Sequence, residues 1–359
     1  MVLPTTYTAA LLLTFFTMIC WGSWANTTKM TGKWRFELFY FDYAFGVLLA
    51  ATILALTLGQ MGPELSFEDN LLIARYRAIG MGLFAGAIFN LANMLLVAAI
   101  SLAGMSMAFP IGIGMALVIG VVWSYLLNPQ GNPFLLFGGA ALLTVGIIIV
   151  ARAYKEYAVF KEAQRAKIAL EKGKKRAPRK VGFKAIGLSL TCGVLMGSFY
   201  PLVEMSRESE LGLRCYTIGF IFALGVFITT PLYNLVFMNI PVKGKPVGIG
   251  AYFKGTLKQH ALGVFGGVIW CAGAVANFAA ASAPPEVQVG PAISYAIGQG
   301  AVLVSTLWGL LYWKEFAGAS GKVKGLLAVM IALFVIGLGL IAIAPLFASA
   351  RTTPLKGLF

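Results

Sequence analysis

Ten apolar segments, each about as long as a membrane-spanning helix, recur along this chain of 359 residues. Because an α-helix rises about 1.5 Å per residue, roughly 20 apolar residues cross the hydrocarbon layer of a bilayer. Backbone groups in lipid must bond to one another, so segments of this length are helical. The sequence therefore predicts an all-α integral membrane protein with ten transmembrane helices, at about 7–27, 37–58, 78–100, 105–127, 133–151, 185–204, 213–239, 261–282, 288–312 and 325–347.

The low charge content agrees with this architecture. Charged residues make up 11% of the chain and hydrophobic residues 59%, whereas about 25% of an ordinary globular chain is charged. A soluble surface needs more charge than this, which excludes soluble enzymes and nucleic-acid-binding modules. In a membrane protein, the formal net charge of +15 is interpreted by how the charges are distributed between the loops on the two sides of the membrane. No nucleic-acid partner is expected. We predict that the four cysteines, all in apolar segments, are buried packing residues.

The positive charges fall mostly on one side of the predicted helices. With the N-terminus outside, 22 of the 28 Lys and Arg residues lie in the inside loops 28–36, 101–104, 152–184, 240–260 and 313–324. Positive charges concentrate in the cytoplasmic loops of membrane proteins. The sequence therefore predicts a multi-pass protein of the cell (inner) membrane, with both termini outside (periplasmic) and a cytoplasmic central loop.

The central loop, residues 152–184, carries twelve basic residues and three glutamates. We interpret it as a solvated linker that also contacts anionic lipid headgroups, and its first half can extend the fifth helix. A regulatory or partner-binding role is the alternative. The loop separates two predicted domains, a first five-helix repeat over 1–151 and a second over 185–359.

The two halves of the chain are similar to each other in sequence. Shifted by 181 residues, Gly82 to Leu127 lies on Gly263 to Trp308 without a gap, and 11 of 46 positions are identical. Each half has five predicted spans, and five is odd, so the second half enters the membrane upside down. The sequence thus predicts a 5+5 inverted-topology repeat, the architecture of alternating-access transporters whose substrate site lies near the midplane.

Several short motifs occur in an order typical of one family. They are Trp21-Gly22-Ser23, Phe41-Asp42-Tyr43, Leu56-Thr57-Leu58-Gly59-Gln60-Met61-Gly62-Pro63, Ser305-Thr306-Leu307-Trp308-Gly309 and Lys314-Glu315. The chain resembles the plant-type ureide permeases and their bacterial relatives, and also the related bacterial sugar-uptake permeases of the drug/metabolite transporter superfamily. The resemblance runs over nearly the whole chain.

The resemblance implies a ten-helix importer driven by protons, with ureides, nucleobases and similar heterocycles, or simple sugars, as substrates. The plant proteins are described with a phosphate-loop-like motif in the central loop. Here residues 171–177 read Glu-Lys-Gly-Lys-Lys-Arg-Ala and lack that pattern. Nucleotide binding is therefore not carried over, and no cofactor is expected.

Polar and aromatic residues inside the spans are candidates for substrate binding. Amides both donate and accept hydrogen bonds, and aromatic faces cover flat rings or sugars. Bonding between helices is the alternative for each amide, and plain packing for each aromatic ring. The candidate substrate-binding residues are Trp24, Asn26, Asn90, Asn93, Tyr200, Asn277, Tyr295 and Gln299.

Three charged residues are candidates for proton coupling or gating: Glu204, Asp42 and Lys29. A carboxylate in lipid is costly unless it is paired or faces a cavity. Asp42 could instead form an ion pair with Lys29 or Lys33, and Glu204 could be a solvated interfacial residue.

Pro110 and Pro291, at matching places in the two halves, are candidate hinges. We place His260 on the surface of a cytoplasmic loop.

The function predicted from the sequence is secondary active transport. The chain would import a small neutral polar metabolite, a ureide or nucleobase-type heterocycle or a simple sugar, with a proton as coupling ion, by alternating access. An exporter of metabolites or drugs and a non-transporting membrane sensor or scaffold are the alternatives. We find no Ser/His/Asp set, metal cluster or phosphate-binding loop, so neither an enzyme nor a metal site is predicted.

Overall fold

The protein is a bundle of α-helices. A computed structural model describes residues 1–103, 105–171, 183–242 and 244–347, without the side chains of residues 100, 101, 103–110, 165–171 and 183–185. The helices are α1 (Tyr7–Ser23), α2 (Asn26–Met30), α3 (Phe36–Leu56), α4 (Phe67–Ile73), α5 (Tyr76–Ala103), α6 (Met105–Leu127), α7 (Pro133–Glu171), α8 (Phe183–Met205), α9 (Cys215–Asn239), α10 (Leu257–Ala281), α11 (Pro291–Gly298), α12 (Ala301–Leu307) and α13 (Gly321–Ile343).

The helices confirm an integral membrane protein. Among the described residues, nine helical stretches are long and apolar enough to cross a bilayer, and no strand is present. Each corresponds to a predicted span. The remaining predicted span corresponds to α6, whose fully described part, Ile111–Leu127, is apolar but shorter. The count of ten therefore stays a prediction.

Two of the spans are interrupted. The first breaks after Ser23 and continues as the short helix α2. The other breaks at Gln299 and Gly300, between α11 and α12, and then ends in a π turn, Trp308–Tyr312. The sequence predicts spans over 7–27 and 288–312 and does not reveal these breaks. Broken helices are common where membrane transporters bind their substrates, because the break frees backbone groups.

Local sequence explains where the helices begin. Thr256 and Gln259 form a reciprocal capping box that starts α10, and the Ser320 hydroxyl caps α13. Gly290, at φ 86°, turns the chain into α11, whose first residue is Pro291. Proline fits this position because no donor is lost there. Pro110 belongs to α6, but its side chain lies outside the described residues.

Glycines bring neighbouring helices into backbone contact. A Cβ atom at any of four glycines would lie 2.1–2.3 Å from a carbonyl oxygen of the facing helix, so no larger residue fits. Two of these glycines join α3 to α10, and two join α5 to α9. They are Gly46 and Gly267 in the first crossing, and Gly86 and Gly225 in the second.

The remaining long helices complete the bundle. α8 packs along both α5 and α6, and α7 packs along α13. α7 runs on to Glu171, so the start of the basic central segment is helical, while residues 172–182 lie outside the described residues. The four cysteines, Cys20, Cys192, Cys215 and Cys271, are buried and free, which confirms that expectation.

Candidate transport site

Aromatic rings fill the middle of the bundle. The Trp270 ring lies nearly parallel to those of Trp21, Phe89 and Phe222, at centroid distances of 5.9, 4.3 and 5.8 Å. Phe199 extends the cluster towards Tyr200 and Tyr295. We call these seven residues the aromatic core. The aromatic core joins α1, α5, α8, α9, α10 and α11. An aromatic residue inside an apolar span carries no distinctive sequence signal. The candidates chosen from the sequence therefore do not include Trp21, Phe89, Phe199 and Phe222.

Asn90 bonds α5 to α9. It is fully buried, and its amide nitrogen donates to the Val226 carbonyl (3.2 Å) and to the hydroxyls of Thr229 (3.1 Å) and Thr230 (2.9 Å). Its carbonyl oxygen has no partner among the described residues. The amide nitrogen of Asn90 therefore bonds α5 to α9, and its carbonyl oxygen is available to accept a hydrogen bond.

Asn277 and Ser294 form a reciprocal pair between α10 and α11. The Asn277 amide donates to the Ser294 carbonyl (3.0 Å), and the Ser294 hydroxyl donates to Asn277 Oδ1 (2.7 Å). The Tyr200 hydroxyl lies 3.5 Å from Ser294 Oγ. The Tyr295 hydroxyl donates to the carbonyls of Ala116 (3.2 Å) and Met196 (3.3 Å). These candidate residues lie together and bond neighbouring helices to one another.

The other interior candidates lie around this centre. The Trp24 ring packs on Tyr43 at 4.9 Å. Asn93 is buried, and its amide nitrogen has no partner among the described residues. Gln299 lies in the break between α11 and α12. Within the described residues the Trp21 indole nitrogen and the Tyr43 hydroxyl are also buried without a partner. An unpaired buried polar group costs about 1–3 kcal/mol, so a polar ligand could bond here favourably.

A cavity of about 530 Å³ lies at one end of the bundle, which we call the cavity end. Its volume is in the range of small-molecule sites. Of the residues predicted for the site, only Glu204 lines it. The lining includes Glu64, Asn128, Gln130, Glu204, Arg207, Glu208, Arg214, Ala281, Ser282, Pro284 and Gln288. Because Glu208 and Pro284 are exposed, the cavity reaches the protein surface.

Glu204 and Arg207 form an ion pair at the cavity wall, in which Glu204 is buried and Arg207 is partly buried. Arg207 Nη1 donates to Glu204 Oε1 (2.7 Å), and Arg207 Nη2 donates to the Ser282 hydroxyl (2.6 Å). Burial lowers the pKa of Arg207 but nearby negative groups, Glu204 foremost, raise it, and the net pKa lies above its ordinary value. Sequence analysis missed Arg207, although its i, i+3 spacing from Glu204 was a readable signal.

The opposite end of the bundle, which we call the ladder end, holds a second buried carboxylate. Asp42 accepts hydrogen bonds from the Tyr252 hydroxyl (2.6 Å) and lies 2.9 Å from His260 Nδ1. Burial, and after it the bond to Asp42, raise the pKa of Tyr252, so the phenol stays a donor. His260 belongs to the first turn of α10, so its placement in a loop was wrong. Among the described residues no group of His, Cys, Asp and Glu could hold a metal ion.

Three contacts at this end join α1 and α2 to the segment after α12. Trp308 Nε1 donates to Ser23 Oγ (2.9 Å), Trp313 Nε1 donates to Asn26 Oδ1 (2.6 Å), and Lys29 pairs with Glu315. Lys29 Nζ also lies 5.3 Å from the Trp313 ring centre. We call these three contacts the ladder. Lys29 therefore pairs with Glu315, and Asp42 is paired with neither Lys29 nor Lys33 among the described residues.

Comparison with known proteins identifies relatives over nearly the whole chain. The Ureide permease family model matches residues 39–181 and 156–345. Ureide permease 1 of Arabidopsis thaliana is 27% identical, over 95% of this chain and 96% of its own length. Ureide permease 2 of the same plant is 24% identical, over 91% and 94%. Probable ureide permease A3 of Vigna unguiculata is 23% identical, over 86% and 96%.

A solved crystal structure shares the fold. It superposes with a TM-score of 0.57 over 95% of this chain and 99% of its own, at 20% identity. The permease relatives indicate a transporter rather than an enzyme. They confirm the resemblance to ureide permeases, while the links to sugar-uptake permeases and to the drug/metabolite superfamily stay predictions. The chain is an integral membrane protein and belongs to the ureide permease family.

Proposed function

We propose that this protein is a secondary active transporter that imports ureide-type metabolites by alternating access, coupled to protons. The names of its relatives support the substrate class, since they are called ureide permeases over nearly the full length of this chain. A ureide is neutral and rich in N–H and C=O groups. Carboxylates and amides accept from such N–H groups, and arginine donates to such carbonyls.

The observation that carries the proposal is the contrast between the two ends of the bundle. A polar cavity reaches the surface at the cavity end, above the aromatic core. At the other end the ladder and the Asp42–His260 pair bond the helices together. An alternating-access carrier opens to one side of the membrane at a time. In each of its states it therefore needs one open end and one end that is closed by contacts between helices.

Matched helix crossings support two five-helix repeats in opposite orientation. The crossing of α3 with α10 uses two glycines, and the crossing of α5 with α9 uses two more. Gly86 and Gly267 are 181 residues apart, and Gly46 and Gly225 are 179 apart, so each glycine of one half has its counterpart in the other. α7 and α13 meet at Gly139 and Gly337, each facing the carbonyl of the other. This pattern favours ten spans over 1–151 and 185–359, related by a twofold axis.

We assign the proton to Glu204. It is a buried carboxylate that lines the cavity, so protons from the surface can reach it. Arg207 donates to its carboxylate, and a bound substrate that competes for the carboxylate would release that bond. Asp42 is the second candidate, because it is also buried and lies 2.9 Å from His260 Nδ1. Lys29 is assigned to a gate.

The path of the substrate would run from the cavity to the aromatic core. There Asn90 and Asn93 each have an unpaired atom within the described residues, and the Asn277–Ser294 pair and Gln299 could exchange partners with a ligand. Tyr200, Tyr295 and Trp24 would cover its faces. Pro291, at the start of α11, remains a candidate hinge with Pro110.

The orientation follows from the positive charges. We propose that the protein lies in the cell (inner) membrane with the cavity end outside, both termini periplasmic and the basic central segment on the cytoplasmic side. That segment would contact anionic lipids, and the proton and the small substrate are the other partners.

Uptake into proteoliposomes tests the function. Purified protein is reconstituted, and a labelled ureide is supplied outside under an inward proton gradient, with a nucleobase and a simple sugar in parallel. We expect ureide accumulation that collapses when a protonophore dissipates the gradient. Accumulation of none of the three would contradict the proposal, and accumulation of the sugar alone would overturn its substrate class.

A further inference from the structure

The ladder end and the cavity end lie at matching places in the two halves of the chain. We infer that they exchange gate contacts: the ladder opens when Glu204 closes on Gln130. The inference rests on the proposed transport function and deepens it by naming the residues that alternate.

Two glycine contacts define which residues correspond. Gly22 of α1 packs on the Ala301 carbonyl of α12, and Gly197 of α8 packs on the Ala116 carbonyl of α6. The two glycines are 175 residues apart. The two alanines are 185 apart, so for this stretch the contacts give a correspondence that differs by four residues from the ungapped 181-residue shift, which aligns Pro110 with Pro291. The same two shifts relate a second pair of contacts, because Met18 corresponds to Gly193 and Gly300 to Met115. Met18 packs on Gly300, and Gly193 packs on Met115. The α1–α12 and α8–α6 contacts are therefore equivalent.

These shifts assign a counterpart to each contact of the ladder. Ser23 with Trp308 corresponds to Ser198 with Trp123, so a serine and a tryptophan stand at both ends. Lys29 with Glu315 corresponds to Glu204 with Gln130. The middle contact, Asn26 with Trp313, corresponds to Pro201 with Asn128; because proline has no side-chain acceptor, only two contacts can form at the cavity end.

At the cavity end the two counterpart contacts are open. The Ser198 hydroxyl donates to the Val194 carbonyl of its own helix (2.7 Å), and Trp123 is 37% exposed with no side-chain hydrogen bond to a described residue. Glu204 is held by Arg207. Glu204 and Gln130 both line the cavity instead of closing it. The open space between α8 and the end of α6 is thus equivalent to the site that the ladder closes at the other end of the bundle.

The exchange needs only bonds that these residues can make. Gln130 carries an amide NH₂ that can donate to the Glu204 carboxylate, and Trp123 carries an indole N–H that can donate to Ser198, as Trp308 donates to Ser23. At the ladder end the Lys29–Glu315 pair is partly exposed, so breaking it costs little. Each contact that forms at the cavity end thus has a counterpart that is released at the ladder end.

Zero-length cross-linking tests the exchange without a substrate. A carbodiimide joins a lysine amine to a contacting carboxylate as an amide, and itself leaves as a urea. In reconstituted wild-type protein we expect a Lys29–Glu315 link, detected as a joined peptide after proteolysis. The Gln130→Lys variant adds an amine at the cavity end, and its link to Glu204 reports closure there.

Breaking the ladder should close the cavity end. Adding Lys29→Glu to the Gln130→Lys protein places like charges at the ladder, so we expect about a two- to fivefold rise in the link between position 130 and Glu204. Lys33→Glu makes the same charge change at an exposed neighbouring residue and should leave the yield unchanged. Lys29→Glu combined with Glu315→Lys restores opposite charges and should return the link to its starting yield.

An unchanged cavity-end link after Lys29→Glu, or an equal rise with Lys33→Glu, would overturn the inference. The charge-swapped protein keeps the test valid if the single variant folds poorly, because it restores the pair. Since no substrate is present, a rise in this link together with failed ureide uptake would count against the proposed substrate only.

Discussion

The cavity end and the ladder end are both lined with polar and charged side chains, yet they use them differently. At the ladder end Lys29 meets Glu315, Asp42 meets His260, and the two tryptophans donate to Ser23 and Asn26. At the cavity end the Glu204–Arg207 pair lies at the wall of an open space. Polar groups thus close one end by bonding across the bundle, and at the other end they face a space that a ligand can enter.

α10 shows how far apart these ends lie. His260 is in its first turn, and Ala281, its last residue, lines the cavity, so roughly 30 Å of helix separates them. The helix between carries Trp270 and Asn277, and hence the centre of the aromatic core. A substrate crossing the protein would pass this core between two gates.

The largest effect is expected from Glu204→Gln. A permanently neutral side chain of the same size cannot carry a proton, so uphill accumulation should fall to the equilibrated level while substrate binding remains. Proteoliposome uptake measures the first, and thermal shift with substrate measures the second. Glu208→Gln removes an exposed carboxylate from the same cavity and should preserve uphill uptake. If Glu204→Gln still accumulates substrate, the coupling group is elsewhere, with Asp42 next.

A large effect on stability is expected from Arg207→Met. This change leaves the Glu204 carboxylate buried without its partner, and we expect the free energy of unfolding to fall by about 1–3 kcal/mol. The measurement is denaturant unfolding in detergent micelles. Arg214→Met removes an exposed charge from the same cavity and should change stability much less. Equal losses in both variants would show that the buried Glu204 carboxylate does not depend on Arg207 as its partner.

A smaller effect should follow from Tyr252→Phe at the ladder end. The variant removes one hydrogen bond to Asp42 and leaves the carboxylate bonded to His260, so a loss of about 0.5–1.5 kcal/mol is expected. Tyr312→Phe, at an exposed tyrosine with no side-chain hydrogen bond to a described residue, is the matched control. The same unfolding assay applies. A loss of uphill uptake with unchanged stability would instead make Asp42 a coupling group.

The sequence predicted most of the bundle because membrane helices are encoded locally. Runs of about 20 apolar residues locate the spans, and the apolar setting of the cysteines predicts their burial. It also identified Glu204 as unusual, since a carboxylate near the end of an apolar helix needs a partner or a cavity. The partner, three residues along, lay within reach of the same reasoning.

Contacts between distant segments were beyond sequence reasoning. Asp42 and His260 are 218 residues apart, and no local pattern links them. Trp308 and Trp313 are typical interfacial aromatics on sequence grounds, and their pairing with Ser23 and Asn26 depends on how α1 packs against α12. The break at Gln299 and Gly300 lies within a segment that is apolar on average, so hydropathy does not reveal it. Asn90 and Asn277 were found, but their bonds to neighbouring helices depend on tertiary packing.

Thiol labelling of the two ends tests the central claim most directly. All four native cysteines are buried, so a membrane-impermeant maleimide reports chiefly on an introduced residue. Glu208→Cys lies at the mouth of the cavity, and Lys258→Cys lies at the exposed start of α10 near the ladder. In intact cells we predict labelling of Glu208→Cys, slowed by a ureide, and labelling of Lys258→Cys only after permeabilisation. Labelling of both from the same side would contradict a carrier whose cavity faces outward while its opposite end is closed.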